Sequence, residues 1–209
     1  MILLADNDVI LKLARCDLYS EFFPAFGVTE NDLRILITAR HVLTSGRIRK
    51  RCDDASFLRL KAFLDSVQDI VTSPDENEMI ALTEQPRIDT GEVVLFSVCP
   101  RIPNSFIATG DKRSLTGLAE ASKSHPICSN LYTRLTGRII CFEQIVLRIL
   151  DHCGFEMVRT RLISGRESDK VLAILLGSGL DASEASVRAG LESYIDNLRE
   201  ESGTLLYES

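Results

Sequence analysis

Several features that would assign this chain to a broad functional class are missing from its sequence. No apolar run approaches the roughly 20 residues that a membrane-spanning helix needs. None of the six cysteines forms a CxxC pair, the usual spacing of a zinc or redox site. The net charge of −6 argues against a generally basic surface that coats nucleic acid. These absences exclude three common classes and leave an ordinary globular protein.

The length and composition fit such a protein. The chain has 209 residues, of which 45% are hydrophobic and 26% are charged, enough for one domain with an appendage. The cysteines lie mostly in apolar segments, so we expect buried thiols rather than disulfides. No basic and apolar leader precedes a cleavage pattern, because Met1 leads directly into a strand-like segment. We therefore expect a cytoplasmic protein with no membrane association.

Short apolar segments alternate with segments of helical periodicity. Strands are predicted at 1–5, 70–71, 106–109 and 138–141. Residues 19–27 are predicted to form a packed loop, residues 29–42 are predicted to be mainly helical, and residues 142–153 are predicted to form a strongly apolar helix. The alternation predicts an α/β domain over 1–154, with a parallel sheet of about four strands covered by helices on both faces. Residues 155–209 are predicted to be a helical C-terminal extension containing a helical hairpin at 169–200.

Acidic residues stand at three junctions where a strand or a turn leads into a helix. Asp6 follows the first strand, Glu92 stands at the head of a helix, and Asp111 follows the strand at 106–109. In an open parallel sheet, ligands gather outside the carboxyl ends of the strands, so Asp6 and Asp111 are expected to converge. Carboxylates gathered in this way repel one another unless a divalent cation lies between them. The pattern therefore predicts a Mg²⁺ or Mn²⁺ site.

This order of motifs resembles the PIN-domain nuclease family. The matching segments are 3–11, 89–99 and 106–115, and the order of strands and helices agrees across about residues 1–153. The resemblance implies a three-layer α/β/α sandwich in which Asp6, Glu92 and Asp111 are the catalytic, metal-binding acids. It also implies hydrolysis of RNA phosphodiester bonds with Mg²⁺ or Mn²⁺, by a toxin-like or RNA-processing endoribonuclease. A homodimer and a protein inhibitor or antitoxin are the protein partners that it implies.

Many members of that family carry a fourth acid shortly after the third, but residues 112–116 contain none. Asp8, two residues beyond Asp6, is the candidate replacement and hence a fourth predicted metal ligand. Basic side chains in a predicted basic turn at 46–51, and directly after Asp111, are the candidate contacts to substrate phosphates. They are Arg47, Arg49, Lys50, Arg51, Lys112 and Arg113.

Three alternatives remain open at this point. Asp6, Asp8 and Asp111 can be explained as ordinary helix caps, and Glu92 as the partner of the cap Asp89 in a capping box. A degenerate PIN-like module can bind RNA or a protein without cutting. The stretch at 6–8 also resembles haloacid-dehalogenase phosphatases, with Asp6 as nucleophile and Asp8 as general acid, but Glu92 has no role there.

Overall fold

A parallel β-sheet forms the centre of the protein in the computed structural model, which describes residues 1–208. The sheet has five strands in the order β3-β2-β1-β4-β5, and every neighbouring pair is parallel. The strands are β1 (Ile2–Ala5), β2 (Leu33–Ile35), β3 (Gln68–Asp69), β4 (Ser105–Thr109) and β5 (Ile139–Cys141). The chain builds from β1 to one edge, then crosses back to place β4 on the other side of β1. The strand order therefore reverses between β1 and β4.

The central strand β1 is apolar because both of its faces are covered. Leu3 and Leu4 are fully buried. Leu3 lies opposite Leu33 of β2 and Phe106 of β4, which fixes the register on both sides. The carboxyl ends of β1 and β4 consequently lie side by side.

Thirteen α-helices surround the sheet within residues 1–208. They are α1 (Asn7–Cys16), α2 (Tyr19–Phe26), α3 (Ile37–Leu43), α4 (Gly46–Arg49), α5 (Asp54–Ser66), α6 (Glu76–Thr83), α7 (Thr90–Val98), α8 (Lys112–Ala121), α9 (Pro126–Leu135), α10 (Phe142–Cys153), α11 (Phe155–Gly165), α12 (Lys170–Leu175) and α13 (Glu184–Ser202). Helix α1 contacts α3, α5 and α11, and α2 contacts α10. Helix α9 contacts α6, α7 and α8, and α13 contacts both α8 and α10.

Aspartate side chains begin many of these helices. Each accepts a hydrogen bond from a backbone N–H of the first turn, an interaction worth about 1 kcal/mol. The capping residues are Asp6, Asp53, Asp75, Asp89, Asp111 and Asp169. Three of them lie beside the cleft described below.

The predicted α/β class with a parallel sheet is confirmed, but the predicted number of strands is wrong. The additional strand is β2, which lies inside the segment predicted to be helical at 29–42. A 3-10 turn at Glu30–Asp32 precedes β2, and α3 follows it. Leu33 and Ile35 are fully buried between β1 and β3, and a strand of three residues is too short to show a period of two.

The segment at 19–27 also differs from its prediction, since it is mostly helix rather than loop. Helix α2 forms despite Pro24 in its interior. Phe22 and Phe26 are buried, and α2 packs against α10. Tertiary packing thus outweighs the local effect of proline.

The C-terminal helices share one hydrophobic core with the sheet. Leu172 and Leu191 belong to the same buried cluster as Leu3. After α13 the chain returns to the sheet edge, where the Tyr207 amide donates to the Ile139 carbonyl at 2.7 Å. Residues from both predicted segments, 1–154 and 155–209, therefore contribute to the same hydrophobic core.

Two further expectations are addressed by the described residues. All six cysteines are free thiols, and five of them are buried, as expected. Across residues 1–208, no helix combines the length and apolarity needed to cross a membrane.

Candidate metal centre

A cleft of about 1070 Å³ opens at the carboxyl ends of β1 and β4, where the strand order reverses. This is the position at which open α/β sheets bind ligands. One end of the cleft is acidic. The carboxylates that line it belong to Asp6, Asp8, Asp89, Glu92 and Asp111.

Asp6 lies at the base of this acidic end, directly after β1. Its amide donates to the Ala108 carbonyl at 2.9 Å, which ties the end of β1 to β4. Its carboxylate accepts the backbone N–H groups of Asn7 at 2.6 Å and Asp8 at 3.3 Å. Burial, together with the charge of Asp8, raises the pKa of Asp6 from 3.8 to about 7. Asp6 thus caps α1 and carries a carboxyl group that binds protons near neutral pH.

Asp89 caps the start of α7, and Glu92 lies in the first turn of that helix. Asp89 Oδ1 accepts the backbone N–H groups of Gly91 at 2.9 Å and Glu92 at 3.3 Å. Burial and a hydrogen bond to Asp89 raise the pKa of Glu92 from 4.5 to about 10. A hydrogen bond from Glu92 in turn lowers the pKa of Asp89. Without a cation, the two carboxyl groups therefore share a proton held by Glu92.

Asp111 completes the acidic end. It accepts the Arg113 backbone N–H at 2.9 Å as the cap of α8, and its other oxygen lies 3.1 Å from Arg113 Nη2. Asp89, Glu92 and Asp111 each offer an oxygen, and these three oxygens lie within 4.8 Å of one another. Oxygens bound to one Mg²⁺ ion are separated by at most about 4.2 Å, twice the metal–oxygen distance. Small side-chain movements therefore bring the three carboxylates onto one ion.

Two residues that line the cleft each have a buried side-chain oxygen without a hydrogen-bond partner in the described part of the chain. Glu92 Oε2 and Asn7 Oδ1 are buried and find no hydrogen-bond partner among residues 1–208, although both residues line the cleft. A buried acceptor without a partner is costly, and a bound cation relieves that cost. Because the candidate ligands are all oxygens, the site fits a hard cation such as Mg²⁺ or Mn²⁺.

The structure brings together the acids singled out in the sequence. Asp6, Glu92 and Asp111 all line the cleft, although Asp6 is not one of the three that lie within 4.8 Å. Asp8 also lines it, but its Oδ2 lies 2.5 Å from Lys12 Nζ. Sequence reasoning missed Asp89 as a candidate ligand and interpreted it only as a cap. Its spacing from Glu92 was the available signal, because residues i and i+3 lie on one face of a helix.

The basic residues predicted to contact substrate phosphates do not all lie in the cleft. Arg113 lines the cleft and is largely exposed. Its neighbour Lys112 instead pairs with the buried Glu143 at 2.7 Å and lies over the Tyr194 ring. The residues of the predicted basic turn do not line the cleft; these are Arg47, Arg49, Lys50 and Arg51. Among the described residues that line it, Arg113 is the single basic side chain.

Aliphatic side chains also line the cleft. Among them, Ile37 and Val71 are 70% and 93% exposed. Leu36, Ile70 and Val94 line it as well. A ligand in the cleft would therefore meet both carboxylates and aliphatic side chains.

Comparison with known proteins does not assign this chain to a family. No family model matches the chain, and no curated protein or solved structure matches it. The resemblance to PIN-domain nucleases stays a prediction, and the functional proposal depends on the cleft itself.

Proposed function

We propose that this protein is a divalent-metal-dependent endoribonuclease of the PIN type, using Mg²⁺ or Mn²⁺. One observation carries the proposal. Oxygens of Asp89, Glu92 and Asp111 lie within 4.8 Å of one another, and the buried Glu92 Oε2 has no hydrogen-bond partner among residues 1–208. The cluster stands at the strand-order reversal, where substrates bind in open parallel sheets.

The residues of the cleft have different roles in this proposal. Asp89, Glu92 and Asp111 hold the cation, and Asp6 supplies further negative charge at the base of the cleft. When bound there, the cation activates water and neutralises charge on the scissile phosphate. Arg113 extends along the same cleft and contacts a phosphate oxygen of the substrate. Asp89 takes the place of the missing fourth acid after Asp111.

The geometry favours this proposal over a haloacid-dehalogenase phosphatase. That reaction needs Asp8 as a free general acid, whereas Asp8 is paired with Lys12. It also assigns no role to Asp89 and Glu92, which lie beside Asp111. Asp6, its nucleophile, is buried and accepts two backbone N–H groups as a helix cap.

The PIN resemblance adds four further parts to this proposal. They are RNA as the substrate, a three-layer α/β/α arrangement, a homodimer, and an inhibitor or antitoxin partner.

A PIN-like module that binds RNA or a protein without cutting it is the second candidate. The pair of Glu92 and Asp89 shares one proton and so carries one negative charge instead of two, which favours that candidate if no cation binds.

Cleavage of a mixed single-stranded RNA pool with Mn²⁺ tests the proposal. We expect Glu92→Gln and Asp111→Asn to lower the cleavage rate roughly 100-fold or more, since each removes a cation ligand. Glu167→Gln, which changes an exposed acid away from the cleft, is the matched control. It should cleave like the wild type.

Each result has a defined meaning. Equal cleavage by wild type and both cleft variants indicates a contaminating nuclease and refutes the proposal. RNA binding that requires Mn²⁺ but produces no cleavage supports the non-cutting module. A parallel DNA pool shows whether the substrate is restricted to RNA.

A further inference from the structure

Asp8 is the acid in the cleft that is already paired with a cationic side chain of the core. Its Oδ2 lies 2.5 Å from Lys12 Nζ, one turn further along α1. The same ammonium lies 2.8 Å from Asp169 Oδ2, at the start of α12. The side chains of Lys12 and Asp169 are 8% and 9% exposed, so this contact is nearly dry. Lys12 thus connects the cleft to the C-terminal helices.

The surroundings fix the position of this ammonium group. Lys12 Nζ lies 4.9 Å from the centre of the Phe142 ring. On another side it approaches Gly110, where an added Cβ would lie 2.7 Å from Nζ and 2.2 Å from Asp8 Oδ2. The absence of a side chain at Gly110 therefore admits the Asp8–Lys12 pair. Asp8 is held by contacts on two sides.

The candidate ligand Asp111 also has a cationic partner, but the Arg113 side chain is 81% exposed, whereas that of Lys12 is 8% exposed and is held in place. Asp89, Glu92 and Asp111 offer oxygens within one short span, and Asp8 is not part of that group. A cation that used Asp8 as a ligand would approach the Lys12 ammonium, and like charges repel strongly where water is scarce. Lys12 thus occupies Asp8 Oδ2 within the protein, although it shares its one positive charge with Asp169.

We propose that Lys12 is a positioning residue that holds Asp8 out of the ligand set, so that the centre takes one divalent cation. This inference rests on the proposed cation site. It gives the C-terminal helices a role at the centre, because Asp169 anchors Lys12 from α12. It also changes the role of Asp8 from a predicted metal ligand to the partner of an internal cation.

Counting bound Mn²⁺ by electron paramagnetic resonance tests the inference on the full chain. The wild type should bind one ion. Asp8→Asn should also bind one, with a dissociation constant within about twofold of the wild type, since only a non-ligand is changed. Asp169 still pairs with Lys12 in this variant, so the buried ammonium keeps one anionic partner.

Release of Asp8 is the complementary experiment. Lys12→Met combined with Asp169→Asn removes the ammonium and its anchor, while Asn still caps α12. We expect Mn²⁺ to bind about threefold more tightly or a second ion to appear, because an unpaired carboxylate attracts the cation. Adding Asp8→Asn to this double variant should abolish the gain.

The outcomes separate the two proposals. A wild type that binds no Mn²⁺ refutes the metal centre and the inference together. Two ions in the wild type, or a tenfold loss of affinity in Asp8→Asn, overturns the role of Lys12 but leaves the metal centre. A folded double variant with unchanged affinity also overturns it, and the Asp8→Asn result decides alone if the double variant does not fold.

Discussion

Asp89 Oδ1 accepts the backbone N–H of Glu92 at 3.3 Å, and the two carboxyl groups also share a hydrogen bond. The same aspartate therefore caps α7 and belongs to the acidic cluster. Asp6 and Asp111 also combine a cap with a place in the cleft. Capping and metal binding are thus compatible uses of these residues, because helix N-termini gather at the carboxyl ends of parallel strands.

The stability of the metal-free protein should depend on pH through Glu92. Its pKa is about 10 in the folded state, against 4.5 ordinarily, because of burial and the hydrogen bond to Asp89. Between these pH values the folded protein keeps a proton that the unfolded chain has lost. Glu92 therefore lowers the free energy of unfolding as pH rises, by at most about 1.4 kcal/mol per pH unit.

Thermal melting with a chelator, from pH 5 to pH 9, measures this effect by comparison with Glu92→Gln. The variant has no proton to lose at this position, so its melting temperature should rise relative to the wild type as pH increases. A constant difference across the series contradicts a protonated Glu92. The comparison cancels contributions from other acids, such as Asp53, whose pKa is lowered by its hydrogen bonds to Ser56.

Cation binding should release protons. A cation must displace the proton held by Glu92 and compete for the proton on Asp6, whose pKa burial raises to about 7. Affinity for Mn²⁺ should therefore increase between pH 6 and pH 8, by up to about tenfold per pH unit for each proton displaced.

Titration calorimetry in two buffers of different ionisation enthalpy counts these protons directly. About one proton or more per bound ion is expected near pH 7, since Glu92 is protonated there. Glu167→Gln should release the same number as the wild type. Binding with no proton release and no dependence on pH would contradict the assigned protonation of the site.

Gly110→Ala should destabilise the protein. Its new Cβ would lie 2.2 Å from Asp8 Oδ2 and 2.7 Å from Lys12 Nζ, so the ion pair must shift. We expect the free energy of unfolding to fall by about 1–3 kcal/mol, measured by urea denaturation. Gly46→Ala is the matched control, because its Cβ would meet no atom within 4 Å. Equal effects of the two substitutions would contradict close packing at Gly110.

Lys112 and Arg113 are neighbours in sequence but should behave differently. Lys112→Ala leaves the buried Glu143 without its cation and should lower the free energy of unfolding by about 1–3 kcal/mol. Arg113→Ala changes an exposed side chain in the cleft, so stability should hardly change. It should instead weaken RNA binding about fivefold through loss of a phosphate contact.

Urea denaturation and RNA titration of both variants measure these effects. If Lys112→Ala weakens RNA binding while stability is unchanged, the structural assignment of Lys112 is wrong. If Arg113→Ala has no effect on RNA binding, Arg113 has no role in the substrate contact. The basic turn at 47–51 stays a prediction, and Arg47→Ala in the same titration tests it.

The parts of the fold that could be predicted have strong local signals. Helix α10 begins and ends where its pattern predicts, at Phe142 and Cys153. Strands β1 and β4 also lie close to their predicted positions, since continuous apolar runs mark strands buried on both faces. Strand β2 was missed, because three residues with Arg34 in the middle resemble a helix segment until both neighbouring strands are in place.

For the site, the sequence by itself determined which residue types stand after the strands and at the helix starts, and hence an acidic cleft. Only the tertiary structure decided how those acids are used. Asp89, Glu92 and Asp111 were brought together at the starts of α7 and α8, while the buried Lys12 paired with both Asp8 and Asp169. Local patterns specify chain direction and caps, but the ion pairs that connect residues 8 and 169 through Lys12 depend on packing that no local pattern encodes.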